Sequence, residues 1–295
     1  MKSASLAHSE LAAAKINLAL HVLGRRPDGY HDIDSIVVFA DFGDQVEIHE
    51  SGKEFIVDGP FAGDLAAAIG RERNLAAIAN ERLAAAAGDM AEPIGLRLIK
   101  NLPIASGLGG GAADAAAVLR LLDAHWRLGL QPSELQAIGG TIGADVPMCI
   151  ASVPLRATGR GDRVAEIAGI PTLPLALVFP SAGVSTAKVF ARAGDGSDPR
   201  LPRLPGRFGS VADMAGWLDG TRNGLEEPAI AEVPVISEAL DHLRRSTDCL
   251  IARMTGSGST CFGLFPDLGS AKRAVGRIRA DRPNWWVRVT TTARP

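Results

Sequence analysis

The sequence predicts an α+β protein of two domains, and three observations carry that prediction. At 295 residues the chain is long enough for one large or two ordinary domains, each with its own core. Strand-like alternation, at residues 10–22 and again at Ile94, Leu96 and Leu98, is interleaved with helical spacing at residues 74–87 and 112–128. A Gly- and Arg-rich link, Arg156-Ala-Thr-Gly-Arg-Gly-Asp-Arg163, precedes a fresh apolar strand at residues 174–180. The boundary falls in that link and divides the chain into residues 1–160 and 161–295.

Composition narrows the function classes. Hydrophobic residues at 46% and charged residues at 22% describe a soluble globular protein. A formal charge of −2 argues against nucleic acid as a standing partner, which would need a basic face. Cys149, Cys249 and Cys261 are scattered and lack Cys-x-x-Cys spacing, which predicts a reduced, cytoplasmic setting. No apolar run reaches the length of a membrane span, and the start, Met1-Lys-Ser-Ala-Ser-Leu-Ala-His8, lacks a signal-peptide core, so no membrane partner is expected. The His residues never adopt a metal-ligand spacing, and no protein-built metal site is expected.

In the opening strand Lys15 and Asn17 lie two apart and so project from the same face. A lysine among Ala and Ile calls for a counter-charge or a ligand phosphate, although most strand lysines are solvated edges. Next, Pro27, Asp28 and Gly29 make a turn that presents Tyr30 and His31 side by side. Residues 33–48 are expected as two strands around a turn at Asp41-Phe-Gly-Asp44. Leu75, Ile78, Ala79 and Leu83 then predict an amphipathic helix.

The chain is organised around Leu102-Pro-Ile-Ala-Ser-Gly-Leu-Gly-Gly-Gly-Ala-Ala-Asp114. Without side chains near the turn, backbone amides close on an anion, and the following helix N-terminus adds partial positive charge. That is a phosphate cradle, though glycine clusters also make ordinary loops. No Lys follows the glycines, which excludes a Walker A loop. Gly107-x-Gly109-x-x-Ala112 fits the relaxed dinucleotide pattern, but residues 101–106 separate it from the strand and Asp123 falls inside the helix. A dinucleotide-dependent oxidoreductase is therefore the weaker reading.

Downstream, Ser133-Glu-Leu-Gln136 after Pro132 reads as the capping box of a short helix ending at Gly139-Gly140. Asp145 is read in a loop between that helix and an apolar strand, as a base, a metal-linked carboxylate or a turn residue. Ser185 to Phe190 opens a short helix, and residues 195–209 read as a mobile surface loop. Helices at 211–218 and 233–244, and strands at 250–254 and 261–265 flanking a Gly/Ser/Thr turn, follow. A helix at 268–279 and a strand at 286–289 complete a split β-α-β domain.

Ala13-Ala-Lys15-Ile-Asn17-Leu, Pro27-Asp-Gly-Tyr-His31, the glycine segment at 102–116, Ile142-Gly-Ala-Asp-Val-Pro147 and Met254-Thr-Gly-Ser-Gly-Ser-Thr260 stand in the order and spacing of a GHMP-type small-molecule kinase. The chain resembles that family over nearly its whole length. The resemblance implies an N-terminal nucleotide-binding α+β domain and a C-terminal ferredoxin-like domain, with the active site in the cleft. It implies ATP and Mg2+ as cofactors. The Pro-Asp-Gly-Tyr-His and Gly-Ala-Asp-Val-Pro elements resemble the branch that phosphorylates the 2-hydroxyl of a cytidine diphosphate-linked methylerythritol in isoprenoid precursor synthesis. Homoserine- or mevalonate-type kinases are the nearer alternatives.

Residue by residue, the resemblance implies that Lys15 and Asp145 are the catalytic pair, with Asp145 taking the hydroxyl proton. It assigns Pro103, Ser106, Gly107, Leu108, Gly109, Gly110, Gly111, Ala112 and Ala113 to the ATP phosphate loop, and Asn74 to the adenine. Asn17, Tyr30, His31, Thr186, Phe190 and Gly256 fall on the substrate side, with Phe190 opposite Tyr30 across the base. The family usually carries Ser-Ser where this chain has Ala112-Ala113, so a hydroxyl that could meet phosphate or Mg2+ is missing.

Overall fold

The computed structural model describes residues 8–49, 52–69 and 74–293, so the stretch on which the signal-peptide expectation rests lies outside the described residues except at His8. The chain divides into two compact units that do not follow chain order. One takes the residues up to Ala14, Phe42–Ile104 and Gly109–Ser152; the other takes Lys15–Asp41, Ala105–Leu108 and the chain from Val153 onward. Two long paired strands, β1 (Ser9–Arg25) and β2 (His31–His49), each contribute to both units.

In the first unit the end of β2 pairs antiparallel with β4 (Gly95–Ile99), and β3 (Phe55–Asp58) adds to β4 in parallel. Five helices accompany these strands: α1 (Ala62–Ile69), α2 (Leu75–Ala87), α3 (Gly110–Trp126), α4 (Pro132–Gly140) and α5 (Val146–Ala151). The alanines of α3 let it lie close against α2, where Ala76, Ala79 and Leu83 are buried. Burial surrounds the helix for most of its length, which is why its sequence shows no polar stripe.

Three local expectations are corrected here. Residues 41–44 are not a turn: β2 runs straight through them. Gly43 is there because a Cβ would overlap the Ala12 carbonyl, so the glycine marks a close backbone approach. The cap of α4 is Gln131, two residues earlier than expected, with Glu134 accepting from the Gln131 N–H at 2.7 Å and Pro132 in the first turn. Proline there loses no helical hydrogen bond and carries the right φ, which shifts the start. The apolar run after Asp145 is the helix α5, not a strand; a short apolar run with proline at its start fits either element by periodicity alone.

In the second unit the first part of β2 pairs with β5 (Leu155–Gly159), which pairs in turn with β6 (Arg163–Glu166). The Gly/Arg-rich stretch is thus largely strand and hairpin. The remaining elements are β7 (Pro174–Phe179), α6 (Thr186–Arg192), α7 (Val211–Asp219), α8 (Glu226–Glu232), α9 (Val235–Arg244), β8 (Ile251–Met254), β9 (Cys261–Leu264), α10 (Leu268–Asp281) and β10 (Trp286–Thr291). The last four strands form an antiparallel sheet of order β10-β7-β9-β8, the split β-α-β arrangement expected. Ala176 and Val178 from β7, Ile236, Leu240 and Leu243 from α9, and Val275 and Ile278 from α10 fill its core.

Helix α8 is an addition to the sequence reading. Its Pro228 falls in the first turn and Pro234 separates it from α9, the helix expected at 233–244. The stretch at 195–209 is more firmly fastened than its composition suggests. Asp198 is buried and accepts the Val22 N–H at 2.8 Å, while pairing with Arg222. The Leu201 N–H reaches buried Asp34 at 3.0 Å, on a carboxylate that Arg156 also grips at 2.7 and 2.6 Å. Among the described residues no helix is long and apolar enough to cross a membrane.

Candidate functional site

Within the second unit, four distant stretches converge on β1. Lys15 is 8% exposed, and its backbone N–H donates to the Leu108 carbonyl at 2.9 Å. The Asn17 N–H donates to Thr255 Oγ1 at 2.8 Å, and the Thr260 N–H to the Ser106 carbonyl at 3.0 Å. Gly107 has φ +82, and a Cβ on it would stand 2.5 Å from the Gly258 carbonyl oxygen. The backbone of residues 105–108 is thus laid directly on the turn after β8, a contact only glycine permits. Gly256 belongs to that turn, and Thr186 Oγ1 meets Ser257 Oγ at 2.8 Å. Buried Arg253 donates to the Leu18 carbonyl at 2.8 Å and to carbonyls of Leu218 and Thr221, which steadies β1 beside Asn17.

The aromatic residues lie on the same unit. His31 Nε2 meets the Gly194 carbonyl at 2.6 Å; a carbonyl only accepts, so that nitrogen carries the proton and donates. The His31 ring packs on Phe190 with centroids 5.3 Å apart and planes at 33°. Tyr30 is 59% exposed, and the Arg160 guanidinium lies over its ring at 5.1 Å. Phe190 therefore packs on His31, and one face of Tyr30 carries a cation, a partner the sequence did not suggest.

Within the first unit, α3 begins after Gly109, which is left-handed at φ 67, and its first helical bond runs from the Ala113 N–H to the Gly109 carbonyl at 3.0 Å. The amides of Gly110, Gly111 and Ala112 precede that bond and point to the positive end of the helix. A Cβ at Gly110 would meet its nearest neighbours at an ordinary 3.5 Å, and one at Gly111 would meet Leu75 at 3.7 Å. Packing does not demand glycine at either position. Leu75 also borders Gly143, so the start of α2, the start of α3 and the turn before Asp145 gather around one side chain. Asn74 caps α2 by accepting the Ala76 N–H at 3.0 Å. Asp145 occupies the N-cap position of α5 without capping it through its side chain. Pro103 and Ser106 are buried, and Ala112 and Ala113 bring no hydroxyl.

One cluster escaped the sequence reading. Lys100, 2% exposed, binds Asp44 and stands 2.6 Å from Asp114 in α3. Asp44 also accepts the N–H groups of Asn101 at 2.5 Å and Leu102 at 2.8 Å. The group thus fastens the strand end, the start of the glycine segment and the first turns of α3. Burial pushes the Asp114 carboxyl well above the usual carboxylate range, against the pull of Lys100, and its Oδ1 has no hydrogen-bond partner. Burial alone would lower the Lys100 ammonium, but Asp114 and Asp44 hold it above the ordinary lysine value. The available signal was an aspartate inside an alanine-rich helix, a position that normally excludes charge.

Among the described residues, no group of three or more His, Cys, Asp and Glu could hold a metal ion. Family models agree with the fold: "GHMP kinases N terminal domain" matches residues 74–152 and "GHMP kinases C terminal" matches residues 201–284. The chain is 47% identical over 281 residues to a 4-diphosphocytidyl-2-C-methyl-D-erythritol kinase of Mesorhizobium japonicum, covering 95% of this chain and 94% of that one. It is 42% identical over 283 residues to the protein of the same name from Chelativorans sp., covering 96% and 95%. A crystal structure of 4-(cytidine 5'-diphospho)-2C-methyl-D-erythritol kinase superposes with a TM-score of 0.77 at 31% identity, covering 97% of this chain and all of that one. Identity at this level along almost the entire chain, together with both family models, places it: the chain belongs to the GHMP kinases, in the family of 4-diphosphocytidyl-2-C-methyl-D-erythritol kinases.

Proposed function

We propose that this chain uses ATP to phosphorylate the 2-hydroxyl of 4-diphosphocytidyl-2-C-methyl-D-erythritol, a step of non-mevalonate isoprenoid synthesis. The observation that carries the reading is the fixing of the Lys15 backbone to the Leu108 carbonyl, on a loop seated against the Thr255–Thr260 turn. A lysine held this way on a rigid strand, beside a glycine loop, suits charge stabilisation of a transferring phosphoryl group. In this reading Asp145 accepts the hydroxyl proton, and the amides of Gly110, Gly111 and Ala112 hold phosphate oxygens. Asn74 borders the adenine. Asn17, Thr186 and Gly256 face the alcohol, and Tyr30, His31 and Phe190 the cytidine. Residues 1–160 form the nucleotide-binding part and 161–295 the second part, a division the two matched family segments support.

Mg2+ accompanies the nucleotide in this proposal. The described residues supply no cage for it, and Ala112-Ala113 offers no hydroxyl, so a protein-built site does not fit; phosphates and water suit this ion. Cys149, Cys249 and Cys261, scattered and without Cys-x-x-Cys spacing, suit a cytoplasmic setting.

The test is ADP release measured with cytidylated methylerythritol, bare methylerythritol phosphate, homoserine and mevalonate. The cytidylated alcohol is expected to react far faster than the others. Equal rates on the bare and cytidylated alcohols, or turnover of homoserine or mevalonate alone, would overturn the assignment.

A further inference from the structure

The Asn17 side chain is 3% exposed, and only one of its two polar atoms is satisfied. Nδ2 lies 2.8 Å from Ser35 Oγ, and Ser35 Oγ lies 2.6 Å from the Ala19 carbonyl oxygen. A carbonyl can only accept, so the single Ser35 proton is committed to Ala19. The Ser35 oxygen is then left as an acceptor, and the Asn17 atom facing it must be the donating NH2. Reversing the amide would set two oxygens against each other with no proton between them. The orientation of the amide is therefore fixed by chemistry, and Oδ1 is turned away as a buried acceptor with no partner.

The surroundings hold Oδ1 in place, buried and without a partner. The Asn17 N–H is tied to Thr255 Oγ1 at 2.8 Å, which fixes the backbone. A Cβ at Gly256 would stand 3.5 Å from Oδ1, so the backbone of Gly256 lies beside the oxygen and no side chain of that residue covers it. An unpaired buried acceptor is costly and marks a place where a ligand donor is expected. The ionised oxygens of phosphate groups bring no proton to it; a hydroxyl does.

We propose that Ser35 is a specificity-determining positioning residue, which locks the Asn17 amide so that Oδ1 selects a hydroxyl donor on the acceptor alcohol. This rests on the proposed function, because it takes an alcohol to be the phosphoryl acceptor. Ser35 itself touches no ligand. It acts by denying Asn17 the alternative of offering its NH2, which would welcome a carbonyl or phosphate oxygen instead.

The test compares the cytidylated alcohol with analogues lacking one non-reacting hydroxyl at a time, for wild type, Ser35→Ala and Ser35→Thr. In wild type one deoxy analogue is expected to lose about 10²-fold or more in kcat/KM, as sites built around a substrate hydroxyl do. In Ser35→Ala the freed amide can turn, and that ratio is expected to fall below about tenfold, while KM for ATP stays unchanged. Ser35→Thr, which keeps the hydroxyl, should restore the ratio; a merely structural role would lower both substrates together. Should Ser35→Ala fail to fold, Ser35→Cys keeps the volume with a weak acceptor and is judged by the same ratio. A wild-type protein inactive on the cytidylated alcohol overturns the functional reading and this inference with it. An active wild type whose discrimination persists in the folded variants overturns the inference alone.

Discussion

Gly107 and Gly110 stand three residues apart in one glycine run, yet different demands act on them. Gly107 is compelled by the fold: its φ is left-handed and its missing Cβ is where the Gly258 carbonyl lies. Gly110 and Gly111 are helical residues with ordinary space around the Cβ position. The first glycine serves packing, and the second pair is free to serve a ligand. A glycine-rich segment therefore mixes two signals that sequence counting cannot separate, and only the second speaks to phosphate binding.

That contrast can be broken most forcefully where chemistry is removed without touching either glycine class. Asp145→Asn is expected to lower kcat by roughly 10²–10⁴-fold while ATP and alcohol still bind, the usual worth of a positioned base. Single-turnover rates beside equilibrium binding measure it; near-normal turnover would remove Asp145 from the mechanism.

Gly107→Ala comes next. It combines a left-handed residue with a clash against backbone, and should destabilise the protein by roughly 2–5 kcal/mol. Urea denaturation should show the midpoint falling together with activity. Gly110→Ala should behave oppositely, with an unchanged or slightly higher midpoint and KM for ATP raised by about tenfold, the cost of one displaced phosphate contact. A loss of stability there, or unchanged ATP binding, would place both glycines in one class.

The smallest effect sharpens the picture beneath the loop. Because burial raises the Asp114 carboxyl, the folded state holds a proton that the unfolded state releases. The contribution of Asp114 is present at acid pH and is lost as pH rises from the unfolded carboxyl value, about 4, towards the raised folded one. Asp114→Asn, still able to hydrogen-bond Lys100, should gain in urea midpoint over wild type progressively with pH across that window. A difference that stays constant with pH would show that the carboxyl does not titrate in this way.

How much of this was legible beforehand follows from range. Helix α3, the Asn74 start of α2 and the split β-α-β order were readable because periodicity and caps are written within a few residues. The turn misplaced at Asp41-Phe-Gly-Asp44 shows the limit: Gly43 answers to Ala12, far away in sequence, and local turn chemistry competes with that explanation. The run after Asp145 failed for another reason, since six apolar residues carry too little period to tell helix from strand. Lys100, Asp44 and Asp114 were hidden because their mutual neutralisation exists only after folding. Lys15 and Asn17 stood out early, being polar residues spaced on one strand face. The Ser35 partner that orients Asn17 had no local mark at all.

The fastening of residues 195–209 has a consequence for proteolysis. The segment carries Arg200, Arg203 and Arg207, three cleavage sites for trypsin in a stretch whose composition suggests ready access. Cleavage requires a segment to leave the surface and extend into the protease. Here that means surrendering the Asp198 carboxylate from Val22 and Arg222, and the Leu201 amide from Asp34. Nicking is thereby coupled to detachment from β1 and β2, the strands that carry Lys15, Asn17 and Ser35. The rate at which trypsin clips this loop in the native protein becomes a clock for how often the surroundings of those residues come apart.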